Sequence, residues 1–157
     1  MRAAVLTVSD SRAAGEAEDE SGARLAEFAE SLGAEVVGRE AVPDEQAQIE
    51  ALLRHWSDEG RCDLVLTTGG TGFAPRDVTP EATRAVIERE APGIAEAMRA
   101  ASREHTDLWM VSRAAAGVRG RTLIVNFPGS PKSIAEAGPP LADAFRHAVK
   151  LLGGGEH

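Results

Sequence analysis

Asp63-Leu64-Val65-Leu66-Thr67-Thr68, followed at once by Gly69-Gly70-Thr71-Gly72, is the stretch that decides how this chain folds. Leu64, Val65 and Leu66 are consecutive apolar residues with nothing polar between them, which fits a strand covered on both faces in a parallel sheet. The glycines that follow permit positive φ angles and let successive N–H groups point into one concavity. The loop Gly69–Thr79 then leads into a helix, for which Thr79 is the expected N-cap and Pro80 a first-turn residue. Strand, glycine loop and helix in this order nominate the carboxyl end of a sheet as a ligand site.

Outward from that stretch, strand-like and helix-like segments alternate. Upstream, Ala3–Val8 is a short β run. Asp19–Gly33 reads as a helix with Leu25, Phe28, Ala29 and Leu32 on one face and Gly33 at its C-terminal end. Glu35–Ala41 reads as a strand, and a helix starting near Asp44 carries Ile49, Leu52, Leu53 and Trp56 on one stripe. Downstream, Gly93–Ser102 is a helix, Thr122–Asn126 a buried strand, and Pro140–Leu152 the last helix. Asp107–Gly120 fits a short helix or a hairpin. The alternation predicts an α/β, three-layer sandwich with a mostly parallel central sheet. No repeat, linker or low-complexity block divides it, so residues 1–157 read as a single domain.

A chain of 157 residues buries about 68–70% of the surface its unfolded form exposes, enough to fold without staples. Its hydrophobic share of 43% and charged share of 27% are those of a globular protein. Cys62 is the only cysteine, which excludes an internal disulfide and argues against a structural zinc site; a buried, reduced thiol is expected. The apolar start is too short for a signal peptide, and no run approaches a membrane span, so a cytoplasmic location is expected. A net charge of −8 argues against nucleic acid as a partner. A small phosphorylated ligand remains open, since amides, a metal and a few local cations suffice to hold one.

Three predicted strand ends are polar or glycine-rich: Ser9-Asp10, Thr68-Gly69-Gly70 and Asn126–Ser130. In the central loop, Thr68 and Thr71 add hydroxyls to the amides of Gly69, Gly70 and Gly72. With Thr79 as the cap, the carboxylate of Asp77 is left free beside a phosphate cradle. Two unit charges of like sign 4 Å apart repel by about 4 kcal/mol at an effective dielectric near 20, unless a cation lies between them. Magnesium meets that need, since it takes one or two carboxylates plus phosphate oxygens. Asp44 occupies an N-cap position and, read alone, is structural. Asp10 reads either as a turn residue or as a ligand-side acceptor. In Phe127-Pro128-Gly129-Ser130-Pro131-Lys132, Ser130 is an expected cap and Lys132 a cation near a helix start, a second anion site. Ser112-Arg113 offers a hydroxyl and a guanidinium fork. None of the four histidines falls in these motifs, which leaves no Ser-His or Cys-His nucleophile; transfer between already ionised phosphates needs none.

Taken together the motifs resemble the molybdopterin adenylyltransferase family, of the MogA/MoaB and gephyrin G-domain type. The resemblance runs through Thr7-Val8-Ser9-Asp10 with Gly15, Asp19, Ser21 and Gly22, then Pro43-Asp44-Glu45. It continues in Leu66–Gly72 with Asp77-Val78-Thr79-Pro80-Glu81, and closes with Ser112-Arg113 and Leu123–Lys132. It implies a molybdopterin-binding fold assembled as a homotrimer or a dimer of trimers, with ATP and molybdopterin as substrates and Mg2+ as cofactor. By the same resemblance, Asp44 and Asp77 are catalytic, metal-associated acids. Ser9, Asp10, the glycine loop, Ser112, Arg113, Asn126, Pro128, Gly129, Ser130 and Lys132 are substrate contacts, and the product passes to a molybdenum-inserting partner enzyme. Two other readings stand beside it: a non-catalytic molybdopterin carrier or scaffold, and a nucleotide pyrophosphatase of the CinA type. The latter group carries a Thr-x-Asp-Asp-like stretch after the glycine loop, where this chain has Pro75-Arg76-Asp77-Val78.

Overall fold

The computed structural model describes residues 1–157. Its sheet has six strands: β1 (Arg2–Val8), β2 (Glu35–Val42), β3 (Leu64–Thr68), β4 (Arg89–Glu90), β5 (Ala116–Arg119) and β6 (Thr122–Phe127), in the order β2-β1-β3-β6-β5-β4. The pairings of β1 with β2, β1 with β3 and β3 with β6 are parallel, and those of β5 with β6 and β4 with β5 antiparallel. Seven α-helices join them: α1 (Asp10–Ala13), α2 (Glu20–Ser31), α3 (Gln46–Arg54), α4 (Thr79–Val86), α5 (Pro92–Arg103), α6 (Pro131–Ala137) and α7 (Ala142–Leu152).

The period of two along each central strand divides its side chains between two cores. Val5, Leu64, Leu66, Leu123 and Val125 face one layer, where Leu25 of α2, Met98 of α5, Ile134 of α6 and Phe145 of α7 pack on them. Leu6, Val65 and Ile124 face the other, against Ile49 and Leu53 of α3 and Ala82 and Val86 of α4. These residues are almost wholly buried on both sides, so the uninterrupted apolar runs are the direct cause of the three-layer arrangement. Phe28, Phe127 and Phe145 meet with ring centroids 5.8–6.3 Å apart and steeply tilted planes, a geometry that suits the aromatic quadrupole. Cys62 is a buried free thiol, as expected, and burial pushes its pKa up.

Several expected boundaries shift. Thr79 is not the cap of α4: Val78 is, and Thr79 Oγ1, already inside the helix, donates to the Gly69 carbonyl at 2.9 Å. Asp44 does not cap α3 either; extended Glu45 holds that position without a side-chain bond, which frees the Asp44 carboxylate. The stripe ending at Trp56 is carried past α3 by a π-helical turn over His55–Glu59. Asp107–Gly120 contains both expected forms, a 3-10 turn at Trp109–Val111 and then β5. β5 returns to β6 through a two-residue turn in which Gly120 adopts φ +57°, a conformation a hairpin turn requires and glycine supplies without a Cβ clash. The expected last helix starts as a 3-10 turn, Pro139–Leu141, before α7. The short α1 and two-residue β4 carry no periodic signal and were not expected.

Leaving β1, the chain crosses to β2 on one side; the next strand, β3, lies on the other. The carboxyl ends of β1 and β3 therefore flank a topological switch point, where the connections part and a crevice opens.

Candidate functional site

That crevice is a cleft of about 180 Å³ lined by residues from six segments of the chain. Val8 and Ser9 come from the end of β1, Arg12 from α1, Ser21 from α2, Asp44 from the turn after β2, Thr68, Gly69, Gly70 and Asp77 from β3 and its loop, and Gly129 from the turn after β6.

The floor is glycine because nothing larger fits. Gly69 has φ +96° and Gly70 φ +67°; a Cβ on Gly69 would run into the Val8 carbonyl oxygen, and one on Gly70 into Thr79 Oγ1. Gly129 sits against the same floor, where a Cβ would lie 3.3 Å from Gly69 Cα. The loop carbonyls turn away from the cleft: Gly70 C=O accepts the Thr79 N–H at 3.1 Å, as Gly69 C=O accepts the Thr79 hydroxyl. The Gly70 and Gly129 amides have no acceptor within the chain, which suits an anion. Thr68 Oγ1 donates to the Pro128 carbonyl at 2.7 Å and Ser21 Oγ to the Gly129 carbonyl at 2.7 Å, so both fasten the 128–129 turn to the cleft wall.

The two acids are held differently. Asp44 and Asp10 exchange backbone bonds: the Asp10 N–H donates to Asp44 Oδ2 at 3.1 Å and the Asp44 N–H to Asp10 Oδ1 at 3.0 Å. Burial, together with the nearby charges of Asp10 and Asp77, raises the Asp44 pKa above the ordinary carboxylate value despite the amide bond. Asp10 is pulled the other way by its bidentate bond to Arg76, 2.7 Å from Nε and 2.9 Å from Nη2. Asp77 accepts the Ala74 N–H at 2.9 Å. Neither Asp44 nor Asp77 is among the ion pairs of the chain, whereas Asp10 and Glu45 share Arg76. Two hard, anionic oxygen donors without cationic partners therefore face one small cleft, the donor set magnesium accepts. No group of three or more His, Cys, Asp or Glu is arranged to hold a metal, so phosphate oxygens and water would complete the shell.

Of the expected site residues, Ser9, Asp44, Thr68, Gly69, Gly70, Asp77 and Gly129 converge on the cleft. Thr71 and Gly72 continue its loop, Asp10 stands at its rim, and Pro128 contributes the carbonyl that Thr68 holds. Ser130 caps α6 and, with Lys132, Arg24 and Glu20, borders a neighbouring hollow of about 480 Å³. Lys132 is 82% exposed there, 3.8 Å from Glu136. Three expected contacts are placed elsewhere. Asn126 is fully buried, donating to Thr67 Oγ1 at 3.0 Å and Thr83 Oγ1 at 2.8 Å and accepting the Ala115 N–H at 3.1 Å, so it ties β6 to β3, α4 and the residue that leads into β5. All three guanidinium nitrogens of Arg113 are bonded inside the protein: Nε to Gly72 C=O at 2.8 Å, Nη2 to Asp77 C=O at 2.9 Å, and Nη1 to both Glu81 carboxylate oxygens. It is a clamp on the loop. The Ser112 hydroxyl is 3.4 Å from the Ala114 amide and lines none of the cleft.

Sequence reasoning missed Arg12 and Ser21 as lining residues. Ser21 carried a faint signal, a hydroxyl on the buried face of α2; Arg12 carried none, because only the turn of α1 brings it to the cleft. A larger hollow of about 500 Å³ lies among Ser57, Arg61, Cys62 and Arg121. Its Ser57 hydroxyl and Arg121 guanidinium are spent on the carbonyls of Leu53 and Leu152, so its polar groups do not converge on a ligand.

Residues 4–147 match the family model described as a probable molybdopterin binding domain. The molybdopterin adenylyltransferase of Helicobacter pylori strain J99 is 42% identical over 150 residues, 94% of this chain and 85% of that protein. The Escherichia coli K12 protein of the same name is 42% identical over 95% of this chain and 77% of its own length. The chain spans only a quarter of the Drosophila melanogaster molybdenum cofactor synthesis protein cinnamon, at the same identity. Among solved structures, the molybdopterin biosynthesis enzyme MoaB of Thermus thermophilus superposes with a TM-score of 0.91 at 46% identity, covering 98% of this chain and 96% of that one. The CinA protein of Thermoplasma acidophilum shares the fold alone, with a TM-score of 0.71 at 17% identity.

Proposed function

The chain belongs to the molybdopterin adenylyltransferase family, and from that premise we propose that it adenylylates molybdopterin with ATP in molybdenum cofactor biosynthesis. The observation that carries the reading is the pair of carboxylates without cationic partners, Asp44 and Asp77, facing a glycine-floored cleft at the switch point of the sheet. A carrier has no evident use for two half-buried acids without cationic partners beside a phosphate cradle, and the CinA likeness is one of fold only.

In this reading an oxygen of the molybdopterin terminal phosphate attacks the α-phosphorus of ATP. The bond from that phosphorus to the oxygen bridging the β-phosphorus breaks, and pyrophosphate leaves with the electron pair. The amides of Gly70 and Gly129 and the hydroxyl of Ser9 bind and orient phosphate oxygens. Asp44 and Asp77 would hold magnesium, which offsets the charge of the departing pyrophosphate. No side chain has to remove a proton from an ionised phosphate, in keeping with the absence of histidine from the cleft. Arg76 holds Asp10 away as an ion pair, which keeps a third carboxylate from competing for the cation.

We take residues 1–157 as one functional unit acting in the cytoplasm; no helix is long and apolar enough to cross a membrane. A homotrimer or a dimer of trimers belongs to the same proposal, and Phe73, Leu108 and Met110, 70%, 71% and 64% exposed, are apolar side chains open to contact with another subunit. Hand-over of the adenylylated product to a molybdenum-inserting enzyme belongs to the same reading. The test is magnesium-dependent pyrophosphate release from ATP, with and without molybdopterin, in wild type and Asp77→Ala. Release that needs the pterin and disappears in the variant supports the reading. Pterin binding without release would reduce the protein to a carrier.

A further inference from the structure

The cleft is electrically divided. Its acids stand together: a Cβ on Gly70 would lie 3.3 Å from Asp44 Oδ1 and one on Gly72 2.9 Å from Asp77 Oδ2. Gly69, Gly129 and Ser21 form a second group, joined by the Ser21 bond to Gly129 C=O and the approach of Gly129 to Gly69. Among all the residues lining the cleft, a single one is cationic, Arg12. Its guanidinium is held from two directions, Nε donating to the Glu18 carbonyl at 3.2 Å and Nη1 to Ser9 Oγ at 3.5 Å. It has no carboxylate partner. Three of its five N–H donors therefore remain uncommitted in a half-buried position at the edge of a cleft whose other charges are negative.

We propose that Arg12 is a substrate-binding residue that takes a phosphate oxyanion of a substrate, so that the anion lies toward Arg12 and Ser9 while its counter-cation lies toward Asp44 and Asp77. This rests on the adenylyl-transfer reading of the cleft. The physical case is one of charge: an anion approaching two carboxylates is repelled unless a cation meets it, and a guanidinium fixed by neutral acceptors keeps its full charge and free donors for that purpose. Glu18 C=O and Ser9 Oγ hold Arg12 in place without neutralising it, unlike Arg76, whose charge is consumed by Asp10 and Glu45. A phosphate of the pterin and a phosphate of the nucleotide offer the same chemistry, and kinetics separates them: a raised KM for one substrate alone names the source.

The experiment compares wild type, Arg12→Gln and Arg12→Lys by titration with inorganic pyrophosphate and by steady-state pyrophosphate release with ATP and molybdopterin varied in turn. Melting temperatures serve as a folding control. The expected result is pyrophosphate affinity at least ten-fold weaker in Arg12→Gln and partly restored in Arg12→Lys. The KM for one substrate should rise by a similar factor, with kcat changed less, and the salt dependence of pyrophosphate binding should become shallower. Affinity and both KM values unchanged in Arg12→Gln, with or without a lowered melting temperature, overturn the proposal and leave Arg12 as a tether for residues 14–19. If the wild type binds pyrophosphate through Arg12 but releases none from ATP, the adenylyl-transfer reading fails while the anion contact stands.

Discussion

Arg113 binds three parts of the chain that have no covalent reason to stay together, and its removal is the sharpest test of how the glycine loop is held. Its backbone N–H donates to Thr71 C=O at 2.8 Å, and its guanidinium reaches Gly72 C=O, Asp77 C=O and Glu81. Arg113→Ala keeps the first bond and loses the rest. Each charge-assisted bond to a carbonyl is worth about 1.5 kcal/mol at the low end of its range. The ion pair with Glu81 is partly open to solvent, with side chains 32% and 40% exposed, and adds about 0.5 kcal/mol after screening. The expected loss is therefore about 3–4 kcal/mol, or about 6–16 °C in melting temperature for a chain of this size. Urea denaturation of wild type, Arg113→Ala, Glu81→Gln and the double variant measures it. The double-mutant cycle should assign about 0.5–1 kcal/mol to the Arg113–Glu81 pair, leaving the rest to the two carbonyl bonds. Turnover should also fall, because Asp77 hangs from the carbonyl that Arg113 holds. An Arg113→Ala protein that unfolds at the wild-type urea midpoint would falsify the clamp. So would one in which the whole loss cycles out as coupling to Glu81.

Asp44→Asn should raise the melting temperature of the ligand-free protein at neutral pH while abolishing turnover. Burial and like charges raise the Asp44 pKa in the fold, so its contribution to stability is greatest below the unfolded value and is lost as pH rises through the folded one. The melting-temperature gap between variant and wild type should therefore widen with pH across the carboxylate range and then level off; a gap independent of pH contradicts the raised pKa. Gly69→Ala should cost more than about 2 kcal/mol, since it combines φ +96° with a clash against the Val8 carbonyl; unchanged denaturant stability would show that the loop relaxes. Asn126→Ala should destabilise by about 2–4 kcal/mol by breaking a buried three-bond network. Turnover per folded molecule should survive; a raised KM without lost stability would return Asn126 to the list of ligand contacts.

How much was legible beforehand varies with the kind of interaction. Leu64-Val65-Leu66 and Leu123-Ile124-Val125 announced buried strands because burial on both faces leaves no room for a polar residue, and both lie at the centre of the sheet. The glycine loop was equally plain, since close approach of two backbones demands the absence of a Cβ, a property of the residue itself. Asp77 reads as a carboxylate not spent on a cap; in the fold it has no cationic partner but accepts the Ala74 N–H, and the cap of α4 is Val78 rather than Thr79. Those statements follow from local sterics and from hydrophobic period, and both are written in the order of residues.

What the tertiary structure alone decided is which polar groups are spent on the fold and which are left for a ligand. Arg113, Arg76 and Arg12 are the same residue type in polar, loop-like stretches. Yet the first is bonded at every guanidinium nitrogen, the second is neutralised by acids of two other segments, and the third stands in the cleft with donors to spare. Asn126 lies at a strand end that looked like a ligand contact but turns inward to hydroxyls on β3 and α4. A hydrogen bond depends on where two distant segments meet within about 3 Å. That placement comes from the packing of the layers, so residue type and spacing supply the donors and acceptors while only the fold assigns their partners.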